Sequence, residues 1–437
     1  LLYKTAIVSI IPSHMKSLLV LSILSLTLFT PVRADFLVQA NDVVGIAGDS
    51  ITQQHLYSAM MEDYLLMCQP TAGQKVVNFG WSGEVAPVFL ARLQSDVYPF
   101  KPTVMTTCYG MNDGYDGPIN DAIVNQFTTA QTAIVESLKK NGVRTIVLGS
   151  SKCVDTYFYH IPRHNPNLAV VYNKTLGALA DIDKQIAQKE GVVYCDVFGT
   201  TLDVMKKIKA KFGEDYCFAG GDGVHPGPNG QLVMAYSFLK SLGCDGNIGI
   251  ITIDMGSNTA TGTHGHEIVS DTAGLVTVKS TRYPFCFSGT LDDKSENTTA
   301  AVTTVFPFND DLNRYMLIVK GLTAAKAKVT WGGRTKEYSA DQLGKGINLA
   351  AEFLDNPFVQ PFNAVNNAVR AQEEQETMLY QQLLHNMDGW KANLAPGVDS
   401  VWQQVVEAGF RQHDKLYQAA QALVVPVTHT IKIEPEP

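Results

Sequence analysis

The sequence predicts an α/β protein: a parallel sheet covered by helices on both faces, then a small antiparallel β-unit and C-terminal helices. Three observations carry this. From about residue 42 to 245, short β-rich runs alternate with longer amphipathic stretches at crossover spacing. Between 248 and 345, β-branched runs are separated by Gly, Asn, Asp and Thr. From about 357 to 420, segments rich in Ala, Gln, Glu and Leu return.

The strand candidates of the first region are 43–47, 76–79, 103–108, 144–148 and 192–196. Amphipathic runs lie near 53–67, 85–96, 120–140 and 167–189, with a fifth near 228–242. The later β-runs are 248–253, 275–279, 301–306, 316–320 and 328–331, and the later helical runs are 364–384 and 401–422. The tail 431–437 alternates Glu and Pro and is expected to fray.

Of the 437 residues, 45% are hydrophobic and 17% charged, enough apolar surface for a sizeable core and too much for a disordered chain. The 34 basic against 42 acidic residues leave a net charge of −8, and no basic block stands out. That excludes sequence-independent nucleic-acid binding, which needs clustered Lys and Arg to displace counterions. The N-terminal part holds Met15-Lys16, an apolar run to Thr30, then Pro31-Val32-Arg33-Ala34. This reads as a signal peptide over 1–34, with residues 1–14 upstream of a candidate start at Met15. A membrane anchor is the rival, but the run is short for a bilayer and ends in a cleavage-like pattern. The expected location is therefore secreted or periplasmic, in a bacterium.

The seven cysteines are an odd number, so at least one lacks an intramolecular partner, and none shows zinc-site spacing. Cys108 and Cys195 fall in strand candidates and read as core. The expected division is a catalytic domain over 35–245, a β-rich accessory region over 246–350 and a helical region over 351–437.

Four short blocks carry chemistry. Ile46-Ala47-Gly48-Asp49-Ser50 presents Ser50 after the first strand and before a helix, where an N-terminus favours negative charge. Asn78-Phe79-Gly80-Trp81-Ser82-Gly83-Glu84 ends the second strand, and its glycine leaves a backbone N–H open to a ligand. Gly110-Met111-Asn112-Asp113 follows the third strand and offers the Asn112 amide. Asp222-Gly223-Val224-His225-Pro226 puts an acid three residues before a histidine. Taken singly, these read as a helix cap, an ordinary loop, an Asx-turn and a surface histidine. Taken together, they lie at one edge of a parallel sheet and supply a hydroxyl, an acid–histidine pair and three donors, the parts for acyl transfer through a serine.

The four blocks resemble the SGNH (GDSL-type) esterase/acylhydrolase superfamily, over roughly residues 42–245. The resemblance implies a flavodoxin-like three-layer α/β/α sandwich with about five parallel strands. It makes Ser50 the nucleophile, His225 the base and Asp222 the triad acid. It assigns the oxyanion hole to the backbone N–H groups of Ser50 and Gly83 and the amide of Asn112, with no metal and no cofactor. The acid and histidine share one loop, and no G-x-S-x-G elbow surrounds Ser50, unlike the α/β-hydrolases. The segment 346–350 is similar to accessory regions of secreted bacterial members.

The function these readings favour is a secreted serine esterase acting on short acyl, chiefly acetyl, esters of carbohydrates. Its substrate would be a small-molecule or polysaccharide ester. The alternatives are a lipase or thioesterase for longer chains, or a non-catalytic glycan-binding protein on the same fold. Asp49 and Asp113 read as loop braces beside the functional residues. Trp81 reads as loop packing, with sugar stacking as the sharper alternative. Tyr115 and Asp116 are candidates for the cleft wall. His160 and His164 bracket Pro162 in a loop, and His264 with His266 makes an incomplete metal pair.

Overall fold

In the computed structural model, residues 35–159, 165, 167–263, 265–393 and 398–436 are described. The expected signal peptide lies outside them, as do His160, His164 and His264. Five strands form the central sheet: β1 (Val43–Gly48), β2 (Lys75–Asn78), β3 (Val104–Tyr109), β4 (Thr145–Ser150) and β5 (Val193–Cys195). All pair in parallel, in the order β2–β1–β3–β4–β5. That is the flavodoxin-like order, whose crevice opens between β1 and β3 at the carboxyl ends of the strands. Every residue of β3 and β4 is buried, which explains why neither strand alternates with charged residues. Cys108 and Cys195 sit inside this sheet and are buried.

The crossovers are α1 (Ser50–Gln53), α2 (Tyr57–Asp63), α3 (Ala86–Arg92), α4 (Asp121–Lys140), α5 (Leu168–Glu190), α6 (Val197–Phe212) and α7 (Pro228–Ser241). On one face α2 packs on α7 and α7 on α6; on the other α3 packs on α4 and α4 on α5. Two apolar clusters mark these faces. Val44, Ile46, Tyr57 and Phe238 lie in one; Ala47, Val77, Phe89 and Ile134 lie in the other. Caps fix where the helices begin. Asn120 accepts from Ile123 N at 3.1 Å, and Asp196 accepts from Gly199 N at 2.8 Å.

The second half holds β6 (Asn247–Asp254), β7 (Thr259–Gly262), β8 (His266–Thr272), β9 (Leu275–Ser280), β10 (Arg314–Lys320), β11 (Lys326–Trp331), β12 (Arg334–Ser339), β13 (Ile347–Asn348) and β14 (Val427–Glu436). They form two sheets, β13–β10–β6–β7 and β12–β11–β14–β9–β8. The second is antiparallel throughout; the first contains a parallel β6–β10 pair. The run expected as a strand at 301–306 is instead a short helical turn, Ala301–Thr304.

The tail departs most from expectation. It does not fray: β14 is the central strand of the five-stranded sheet. Val427, His429, Ile431 and Ile433 face inward, and Thr428, Thr430, Lys432 and Glu434 face outward. This two-residue period matches a half-buried strand and outweighs the Glu-Pro ending. A buried polar chain fastens β14. Trp331 Nε1 donates to His429 Nδ1 at 3.1 Å, so His429 carries its proton on Nε2, which lies 3.0 Å from Ser280 Oγ. His266 Nε2 lies 2.9 Å from the carbonyl of Ile248, so its Nδ1 accepts from Ser280 Oγ at 2.8 Å. Burial, with the neighbouring His266, lowers the His429 pKa to about 3 and keeps it neutral.

The long helix Val359–Thr377 docks on α2 and β2 through buried acids. Glu373 Oε2 accepts from Ser58 Oγ at 2.6 Å and Asn78 Nδ2 at 3.2 Å. Glu376 Oε2 accepts from Asn78 N at 2.8 Å, and its Oε1 meets His413 Nε2 at 2.7 Å. Gln372 Nε2 donates to Glu62 at 3.1 Å. Burial, then repulsion from Glu376, holds Glu62 and Glu373 well above the ordinary 4.5. These acids stay protonated in the fold while the unfolded chain ionises, so they erode stability as pH rises above 4.5.

The Glu373 Oε1 atom has no hydrogen-bond partner. A glutamine there keeps the acceptor oxygen and cannot ionise. Glu373→Gln is expected to raise the thermal midpoint by about 2–4 °C near pH 8 and to give no gain near pH 4. Circular dichroism melts at the two pH values check this; an equal gain at both would show that ionisation is not the cause.

Candidate active site

β1 runs straight into the first of the candidate site residues. A side chain at Gly48 would put its Cβ 2.2 Å from Thr52 Oγ1 and 3.0 Å from the Cys108 carbonyl, so only glycine fits this close approach. Asp49 then caps α1, with Oδ1 accepting from Ile51 N at 2.9 Å. Burial raises its carboxyl to about 7. Asp49 is thus spent on the turn, and Ser50 follows it, half-buried.

Ser50 Oγ lies 2.8 Å from His225 Nε2, although 175 positions separate them. His225 Nδ1 lies 2.6 Å from Asp222 Oδ2. The other Asp222 oxygen accepts from the N–H groups of Val224 at 2.8 Å and His225 at 3.0 Å. Burial works to raise the Asp222 pKa, but these bonds from His225 and Val224 outweigh it and hold the acid well below the carboxylate range. The turn just before α7 therefore contains both an ionised acid and the ring it orients. Gln231 of α7 braces this turn against the first loop, donating to Gln54 Oε1 at 2.7 Å and accepting from Tyr57 N at 3.2 Å.

The loops after β2 and β3 meet at the same edge of the sheet. Gly83 has φ +75°, with open space where a Cβ would stand. Asn112 Nδ2 donates to the carbonyl of Glu84 at 3.0 Å, tying the amide to the residue after Gly83. Asp113 accepts from Ala86 N at 2.9 Å and Gly110 N at 3.0 Å, and burial raises it to about 6. Like Asp49, it braces loops.

Two features were not anticipated. Glu84 is buried and clasped by Arg92, Nε to Oε1 at 2.6 Å and Nη2 to Oε2 at 2.7 Å, while Tyr109 OH donates to Oε2 at 2.7 Å. Arg92 also donates to the carbonyl of Phe79 at 2.6 Å, so one guanidinium anchors both ends of the Gly83 loop. The only sequence signal was an acid beside Gly83 and an arginine eight residues on, in the next helix. Lys152, buried after β4, donates to the carbonyl of Cys153 at 2.8 Å. Burial lowers its pKa, against the pull of nearby Cys153, Asp155, Asp222 and Asp49.

Trp81 packs in an aromatic group: His385 lies 4.8 Å away and Tyr380 6.1 Å, centroid to centroid, and the Arg92 guanidinium 5.3 Å from the Trp81 ring. This matches loop packing. Asp116 accepts from Tyr159 OH at 2.6 Å, and Tyr115 is exposed, with both residues at positive φ. His266 belongs to the buried polar chain of the β-unit. Among the described residues, no three His, Cys, Asp or Glu side chains are grouped to hold a metal ion.

Residues 46–233 match the GDSL-like Lipase/Acylhydrolase family. Comparison with curated proteins gives no match. Among solved structures, a gut microbial diltiazem-metabolizing enzyme is similar over 91% of this chain and 98% of its own, at 21% identity and TM-score 0.71. An acetylxylan esterase from Geobacillus stearothermophilus aligns with 48% of this chain and 97% of its own, at 20% identity and TM-score 0.39. An alpha/beta hydrolase enzyme from the metagenome of Lake Arreo, Spain, aligns with 48% of this chain and 99% of its own, at 20% identity and TM-score 0.40. The parallel sheet, the order of its motif loops and the family match agree: residues 46–233 form a segment similar to the GDSL-like lipase/acylhydrolase family, and serine ester hydrolysis is the activity that this likeness supports.

Proposed function

We propose that the protein is an exported esterase that removes short acyl groups, acetyl above all, from carbohydrates, with Ser50 as nucleophile. The observation that carries the assignment of residues is the unbroken relay Ser50–His225–Asp222, at 2.8 and 2.6 Å. Ser50 Oγ attacks the ester carbonyl while His225 Nε2 takes its proton. Asp222 holds the proton on Nδ1, which leaves Nε2 free to accept, and stabilises the imidazolium that forms. The backbone N–H groups of Ser50 and Gly83 and the Asn112 amide receive the oxyanion. The tetrahedral intermediate collapses, and His225 returns the proton to the departing alcohol. Water, activated by the same ring, then releases the acyl group from Ser50.

The cleft at His225 supports the short-acyl, polar-alcohol part of the reading. Its lining includes Gln54, Gly220, Gly221, Asp222, Glu296 and Asn297, which give a long alkyl chain little apolar surface to bury. The apolar run before Ala34 supports export. Among the described residues, no helix is long and apolar enough to cross a membrane.

Ser50→Ala and His225→Ala are each expected to lower kcat by about 10⁴-fold or more, and Asp222→Asn by about 10⁴-fold. A fluorophosphonate is expected to label Ser50 in the folded protein; failure to label it removes Ser50 from the nucleophile's role. Turnover of p-nitrophenyl esters is expected to fall from acetyl to longer acyl chains, and a steady rise would instead favour a lipase.

Asn112→Ala is expected to lower kcat by about 10²–10³-fold while KM changes little, because its bond strengthens only as the oxyanion forms. Steady-state kinetics on p-nitrophenyl acetate check this, and a change confined to KM would move Asn112 from the oxyanion to substrate binding.

A further inference from the structure

We infer that a separate cavity on the His225 side of the site holds the alcohol part of the ester, and that it is shaped for a sugar residue of an oligosaccharide. This rests on the esterase reading above. In that reaction the alcohol departs with a proton from His225 Nε2, so it must stand beside His225, while the acyl carbon stays on Ser50. The cleft at His225 is bordered by Leu56, Pro228 and Arg370. The same three residues border a cavity of about 460 Å³ that extends from it under α2 and the helix Val359–Thr377. Its size lies within the roughly 300–1,000 Å³ of small-molecule sites.

The walls combine the two things a sugar ring needs. Phe285, Phe287 and Phe362 supply aromatic surface, and Asp63, Asn366 and Arg370 supply polar groups. Asp63 is 1% exposed; its Oδ2 accepts from Asn366 Nδ2 at 2.6 Å, and its Oδ1 has no partner. Burial raises its carboxyl to about 8, so near neutrality it is an acid that both donates and accepts, as a hydroxyl does. Arg370 is exposed where the two spaces join, and its guanidinium makes no hydrogen bond or ion pair among the described residues. His55, at the rim, is held by Thr377 Oγ1 at 2.9 Å, and burial lowers it to about 4, so it adds no charge near neutrality. A long acyl tail in this space would cover the exposed Arg370 guanidinium without pairing it, a costly desolvation.

The test compares kcat/KM on acetylated xylotriose with kcat/KM on p-nitrophenyl acetate, in the intact protein and in Arg370→Ala and Phe287→Ala. The ratio of the two constants does not depend on how much of a variant folds. It is expected to fall about five- to tenfold in each variant, while the ratio of p-nitrophenyl butyrate to acetate holds. Calorimetric binding of xylotriose to Ser50→Ala, and its weakening by added Arg370→Ala, gives a readout without turnover. Unchanged ratios and unchanged xylotriose binding overturn the inference, as does a loss that follows acyl length. Loss of turnover on every ester, with no fluorophosphonate labelling, would instead strike the esterase reading, and xylotriose binding would still decide the cavity.

Discussion

The contact between Ser50 Oγ and His225 Nε2 joins the first loop of the parallel sheet to its last, and much of the architecture serves to keep it. Neither residue can reach the other through local structure, so their positions are set by the sheet order and by the braces around each loop. Asp49 fixes the turn before Ser50 and Asp222 fixes the turn before His225, each by accepting backbone N–H groups. Gln231 links the segments that follow them, donating to the carbonyls of Ile51 and Pro226. In the reaction proposed above, such braces would hold the reacting atoms in place before substrate arrives, which is where positional catalysis gains its advantage.

The loops expected to face the oxyanion are held by different means. Glu84 is buried beside Gly83, and Arg92 and Tyr109 satisfy its carboxylate. Its carbonyl in turn orients Asn112. A buried ion pair of this sort contributes little net stability and is costly to break, so its evident effect is to define geometry. The helix Val359–Thr377 and the helical segment Met378–Leu384 that continues it add a second layer. Tyr380 and Gln381 donate to the carbonyl of Gly80, and Glu376 accepts from Asn78 N at 2.8 Å, on the same loop. Residues far outside the family-matched segment therefore support one wall of the site.

Much of this was legible in the sequence, for identifiable reasons. The sheet strands read clearly because β3 and β4 are buried on both faces and carry no charged residue. Ser50, Gly83 and Asn112 stood out because each lies in a Gly- or Asn-containing loop at a strand end, a recurrent position for chemistry, and His225 because an acid precedes it by three residues in the glycine-containing turn before α7. Glu84, Arg92 and Lys152 did not stand out, because a buried charge looks like a surface charge until its partners are known. The β14 strand was obscured by its acidic, proline-containing end, although the alternation of Val427, His429, Ile431 and Ile433 was present. The acids Glu62, Glu373 and Glu376 resembled the polar face of an exposed helix, whereas the fold turns them inward.

The place of β14 between β9 and β11 bears on how the chain acquires its shape. During vectorial synthesis both neighbours emerge long before the strand that will separate them. Until residues 427–436 appear, β9 and β11 each present an open edge, the kind of surface on which unrelated chains can add strands. The nascent polypeptide must therefore wait with unsatisfied backbone, and its accessory sheet can close only as a late, long-range event. A shielding chaperone would be most useful during that interval.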